Sequence, residues 1–194
     1  GYFAINKLGT VDAGYTGGVN AVQLWSSADA PMLFATNNNE RLRILSGGGL
    51  TFNGDTATAN ALDDYEEGTF VPTVIGASSA GTATYSGQRG KYTKIGNRVY
   101  WGLYVSWNSG NGSGDFRVNG LPFDEDGNSA VYSAVTVGYA HNISLSSGHT
   151  LTALTLSGDN QVYFYQYPSG GGSNIGLSYD SSGSMILSGH YNVA

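Results

Sequence analysis

The stretch Gly90–Trp107, GKYTKIGNRVYWGLYVSW, decides how this chain is read. From Val99 it alternates strictly. Val99, Trp101, Leu103, Val105 and Trp107 point one way; Tyr100, Gly102, Tyr104 and Ser106 point the other. A period of two built from β-branched and aromatic residues is the pattern of a strand with one face in a core. Ile95-Gly96-Asn97-Arg98 reads as the turn of a β-hairpin, since Gly and Asn tolerate the positive φ such turns demand. Two tryptophans on one face seed the sheet packing of a whole domain.

Composition agrees with that start. The 194 residues allow one large or two small domains, and 40% hydrophobic content suffices for a core. Charged residues make up only 11%, so the polar surface must be mostly Ser, Thr, Asn and the 30 glycines. Long charged side chains favour helices and are scarce, which points to an all-β chain. The net charge of −6 provides no basic stripe for phosphates, which excludes nucleic-acid binding. The absence of cysteine excludes disulfides and Cys-based zinc sites. No signal peptide is visible, no apolar run suits membrane insertion, and the opening Gly1 suggests a processed or excised fragment.

Residues 1–54 hold short strand-like pieces: 2–5, 20–25, 32–36, 41–45 and 50–52. Each is too short and too poor in apolar side chains to bury a core alone. Such a segment folds by pairing with copies of itself, as an intertwined trimeric shaft or collar does. Arg41 and Arg43 alternate with Leu42 and Ile44. That is ordinary strand patterning, so the arginines read as a solvated face or an intersubunit ion pair rather than ligand contacts. Residues 55–68, DTATANALDDYEEG, form the one plausible helix, stopping near Leu62 and followed by an acidic linker. Asp63, Asp64, Glu66 and Glu67 lack the spacing of a glycosidase pair or a calcium loop.

The third part, 69–194, carries the remaining strands. Pro72 marks an edge strand or a strand start. Strand 130–139 places Val131, Val135, Val137 and Tyr139 on one face; strand 150–157 turns Leu154 and Leu156 inward. Gln161–Tyr167 alternates sharply, with Val162 and Phe164 opposed to Tyr163, Tyr165 and Tyr167. Strands spaced by turns, with almost no helix, read as a jelly-roll-like antiparallel β-sandwich.

Several pieces carry a resemblance. Asn38–Leu50, NNERLRILSGGGL, resembles the E-R-x-R-I-x-x-x-G-x-x-G-I stretch of bacteriophage tail-fibre shafts. LDDYEEGT with Pro72, KYTKIGN at 91–97 and GLPF at 120–123 are similar to C-terminal domains of phage tail fibres and related virion proteins, many from marine or environmental phages. The resemblance covers roughly 38–193. It implies a virion location, on a tail fibre or the capsid exterior, a homotrimer, other tail or capsid proteins as partners, and a role in host adhesion. It brings no catalytic motif.

The candidate ligand residues follow from side-chain chemistry. Tyr163, Tyr165 and Tyr167, with Tyr100 and Tyr104, offer flat apolar faces with polar tips suited to sugars. If the opposite faces fill the core, these tyrosines cover either a ligand or another subunit. Loop candidates are Asp124, Asp126 and Asn128, and Ser169 and Asn174. The first set resembles a calcium-loop fragment without its completing Glu, so it reads as an acidic turn. His141, His149 and His190 are scattered, and neither a triad nor a metal or cofactor site can be built. The expected function is a receptor-binding tail-fibre tip that attaches the virion to a host-surface glycan or protein, without enzymatic activity. The alternative is a structural virion protein, a head fibre or capsid decoration. A polysaccharide depolymerase would need paired carboxylates in a groove.

Overall fold

A computed structural model of the chain describes residues 4–7, 22–26, 28–127 and 132–193. They belong to two compact units, Gly1–Asp63 and Asp64–Ala194. Among the described residues the protein is all-β.

In the first unit, β1 (Ala4–Lys7) pairs antiparallel with β2 (Val22–Trp25). A second sheet holds β3 (Met32–Thr36), β4 (Asn39–Ile44) and β5 (Leu50–Phe52). Asn37 and Asn38, both at positive φ, form the two-residue turn between β3 and β4. Direct partners share a face, so Met32, Phe34, Leu42, Ile44, Leu50 and Phe52 line one side of this sheet. That side is apolar throughout, yet Phe34 is 40% and Phe52 53% exposed. Elsewhere in the sheet Arg43 binds both carboxylate oxygens of Glu40, at 2.8 and 2.6 Å, and Arg41 donates to the Thr36 hydroxyl at 3.1 Å.

Of the short helix expected to stop near Leu62, only one turn forms, and it is not α-helical. Thr58–Asn60 makes a single 3-10 turn. The Asp55 carboxylate accepts from the Ala57 amide and the Asn60 side chain, which closes a tight turn instead of a helix start. Leu62 is drawn into a backbone bridge with Leu50. The acidic run then becomes a strand, and the second unit begins at Asp64, before the expected boundary at 69.

The second unit contains β6 (Tyr65–Phe70), β7 (Thr73–Gly76), β8 (Thr84–Ile95), β9 (Arg98–Asn108), β10 (Phe116–Asn119), β11 (Ser133–His141), β12 (His149–Thr155), β13 (Gln161–Pro168), β14 (Ile175–Gly176) and β15 (Gly183–Asn192). One antiparallel sheet runs β6-β8-β9-β15-β11-β12-β13-β10-β7, with β14 beside β13. Its outermost strands, β6 and β7, are separated in sequence only by Val71 and Pro72, so the sheet curls until its edges meet. The Val74 amide donates to the Tyr85 hydroxyl at 2.9 Å, and the Gln88 side chain to the Pro72 carbonyl at 2.9 Å, tying β7 and its lead-in to β8.

The curl brings distant strands face to face, an arrangement consistent with a β-sandwich. Trp107 of β9 stacks on Phe116 of β10 at 5.2 Å, and Phe116 meets Phe164 of β13 at 5.2 Å. The expected inward face of β9 is the centre of this core: Val99, Trp101, Leu103, Val105 and Trp107 are all buried. Among the described residues, every buried apolar side chain lies between Val74 and Val193.

The acidic stretch and the KYTKI stretch are direct neighbours. Residues Tyr65–Phe70 pair with Ile95–Gly90; Lys94 bridges to Asp64, and the Tyr92 hydroxyl donates to Glu66. Gly68 lies opposite Tyr92 and Gly90 opposite Phe70, and each ring covers the glycine across from it, where a Cβ would collide.

One expected face changes part-way and another is reversed; Val131 lies outside the described residues. Gly138 is an extra residue in β11, and the bulge turns Tyr139 outward while Val135 and Val137 stay on the core side. In β12 the inward residues are Leu151, Ala153 and Thr155, because Ala153 lies opposite buried Phe164 and Leu154 opposite Tyr163.

Candidate ligand-binding surface

The outer face of β6, β8, β9, β15 and β11 carries an open groove of about 960 Å³. Strand register builds it. Thr69, Lys91, Gly102, Ser188 and Thr136 are successive cross-strand partners and form a low track with hydroxyls along it. On one side lies the row Glu67, Thr93, Tyr100, His190. The Tyr100 and His190 rings are 5.9 Å apart and tilted by 38°, with Tyr100 half exposed. Flanking the track on the other side is the row Arg89, Tyr104, Ile186, Tyr139. Tyr139 stacks on His141, their centroids 6.3 Å apart.

An aromatic ridge beside a hydroxyl-bearing track suits a flat, polyhydroxylated ligand. Ring faces cover its C–H surfaces while Thr, Ser and charged groups meet its oxygens. Of the five candidate tyrosines, Tyr100 lines this groove and Tyr104 stands in the flanking row. His190 was not legible as a partner of Tyr100, although its alternation with buried Tyr191 already turns it outward.

The other three tyrosines form a separate row on the outer face of β13, opposite Leu154, Thr152 and Thr150. Tyr163 is held in place. The Arg117 guanidinium lies 4.4 Å from its ring centre, and its hydroxyl donates to Asp159. Partial burial, with that bond to a carboxylate, pushes its pKa up to about 12. Tyr165 is half-buried; Tyr167 is exposed and its hydroxyl accepts from the Asn174 amide at 3.2 Å. Exposed Ser169 is tied by its backbone amide to Gly148 at 2.8 Å.

Asn128 lies outside the described residues. The loop before it is anchored rather than open: the Glu125 amide donates to Asp159 and the Asp126 amide to Asn192. Glu125 is buried and accepts from the Ser133 hydroxyl at 3.0 Å, while Asp124 is exposed. Among the described residues no group of three His, Cys, Asp or Glu is placed to hold a metal ion. His149 sits away from the groove, its Nδ1 3.0 Å from the Ser147 carbonyl.

The fold is similar to part of a solved structure, the crystal structure of the Dettilon tailspike protein (gp208), with a TM-score of 0.53 and 25% sequence identity. The likeness is to a phage tail protein. It covers 66% of this chain but only 24% of that one, so it joins the chain to a quarter of the tailspike. No protein-family model matches the chain, and no curated protein does.

Proposed function

We propose that this chain is a receptor-binding module of a phage tail and attaches the virion to a glycan on the host surface. The observation that carries the reading is the open groove beside Tyr100 and His190, on a fold shared with part of a tailspike. Binding is favoured over cleavage because Glu67 is the one carboxylate among the described groove residues, whereas glycoside hydrolysis employs two.

The first unit acts as a shaft and assembles the module as a homotrimer. Its apolar sheet side, with Phe34 and Phe52 exposed, would be covered by the same side of neighbouring copies. Three weak sites on one fibre then add through avidity. The second unit is the jelly-roll-like tip.

The test is competition. Purified chain, added before the phage that carries it, should block adsorption to host cells in a dose-dependent way. Undiminished adsorption at saturating protein would refute the receptor role and favour a structural place in the virion.

A further inference from the structure

The cations of the second unit are unevenly used. It has five: Arg89, Lys91, Lys94, Arg98 and Arg117. Lys94 pairs with Asp64, Arg117 lies on Tyr163 and donates to Gln161, and Arg98 donates to Asn192. Arg89 and Lys91 have no ion pair or side-chain hydrogen bond among the described residues. Both project from the outer face of β8, two residues apart, directly opposite Tyr104 and Gly102. Lys91 lines the groove, and Arg89 stands beside it in the flanking row. The carboxylate in the groove, Glu67, lies in the neighbouring row and accepts the Tyr65 hydroxyl at 2.5 Å. In a protein of net charge −6, two adjacent unneutralised cations beside an aromatic ridge leave a local positive site facing solvent.

We infer that the groove takes an anionic glycan, whose carboxylate or phosphate is held by Arg89 and Lys91 while a neighbouring sugar ring packs on Tyr100 and His190. This rests on the receptor reading and adds the charge of the ligand to it. The guanidinium offers a planar fork to an oxyanion and the ammonium a point charge. An exposed site of this kind is screened by salt.

The experiment uses the full chain, fluorescently labelled, on host cells and on immobilised polysaccharide extracted from those cells. Raising NaCl from 50 to 500 mM should weaken binding several-fold. The double variant R89Q/K91Q should bind about tenfold more weakly and lose most of the salt dependence, while R41Q, which removes one positive charge from the first unit, should bind as the parent. Amidation of the polysaccharide carboxylates with carbodiimide, or removal of its phosphates with hydrofluoric acid, identifies which anion is read; one of the two should abolish binding. Lys91 should also be acetylated readily in the assembled protein.

Strong binding to cells that ignores salt, R89Q/K91Q and both treatments would overturn the anionic ligand and leave the receptor reading standing. Absence of binding to cells would remove the receptor reading itself. An unreactive Lys91 would show that a second copy of the chain occupies the groove, and would overturn the inference.

Discussion

Tyr139 stands directly opposite Ile186 on the outer face of the sheet, although Val137, two residues earlier, packs against the core. Gly138 makes both orientations possible by taking up one extra residue in β11. Deleting Gly138 would remove the extra residue and leave Tyr139 opposite Ile186, so Tyr139, Ala140 and His141 should keep their present faces. The urea midpoint should fall by the equivalent of less than about 1 kcal/mol, with the Tyr139–His141 ring contact kept. A loss of more than about 3 kcal/mol would show that this strand needs the bulge itself.

Trp107 holds the two faces of the curled sheet together. It stacks on Phe116, and its indole N–H donates to the Asp180 carbonyl at 3.0 Å. Trp107→Ala should destabilise the second unit by about 3–5 kcal/mol in equilibrium denaturation, the range for truncating a buried aromatic. Tyr100→Ala on the same strand, being exposed, should shift the midpoint little.

The alternation in β9 was legible because every inward position from Val99 to Trp107 is large and apolar, which leaves the register no competing choice. In β12 the run Leu151-Thr152-Ala153-Leu154-Thr155-Leu156 puts apolar residues on both faces, and only pairing with Phe164 decides between them. Residues 55–68 carry alanines that favour a helix, but tertiary bridging of Leu62 and pairing of Tyr65–Phe70 with β8 prevail. The groove was only half legible. Tyr100 and Tyr104 were visible on their strand, while Glu67, Thr136, Ser188 and His190 come from segments that meet only through long-range pairing.

Alkaline stability follows from two tyrosines. Burial is the main cause that raises both Tyr163, to about 12, and Tyr191, further still, against an ordinary value of 10.0. Both folded values exceed the unfolded one, so their contribution is intact below pH 10 and is lost as pH climbs through 12. Urea midpoints at rising pH should fall through that window. Tyr163→Phe should make the fall shallower and cost about 1 kcal/mol at pH 8 through the lost bond to Asp159. An unchanged slope in that variant would remove Tyr163 from the account.

Assembly should depend on the first unit's apolar sheet side. Light scattering of the parent should give three times the 20.3 kDa chain mass. The variant F34S/F52S should give the single-chain mass while the second unit keeps its melting transition, because its buried core is built from residues Val74 to Val193. A parent that runs at the single-chain mass would contradict the shaft reading.

The most direct measurement is the binding of labelled chain to host cells when the groove ridge is removed. Y100A/Y104A should bind at least about tenfold more weakly, a change of about 1.4 kcal/mol, with fold and assembly intact, while Y167A binds as the parent. Parental binding by a folded Y100A/Y104A would contradict the assignment of the groove as the attachment surface.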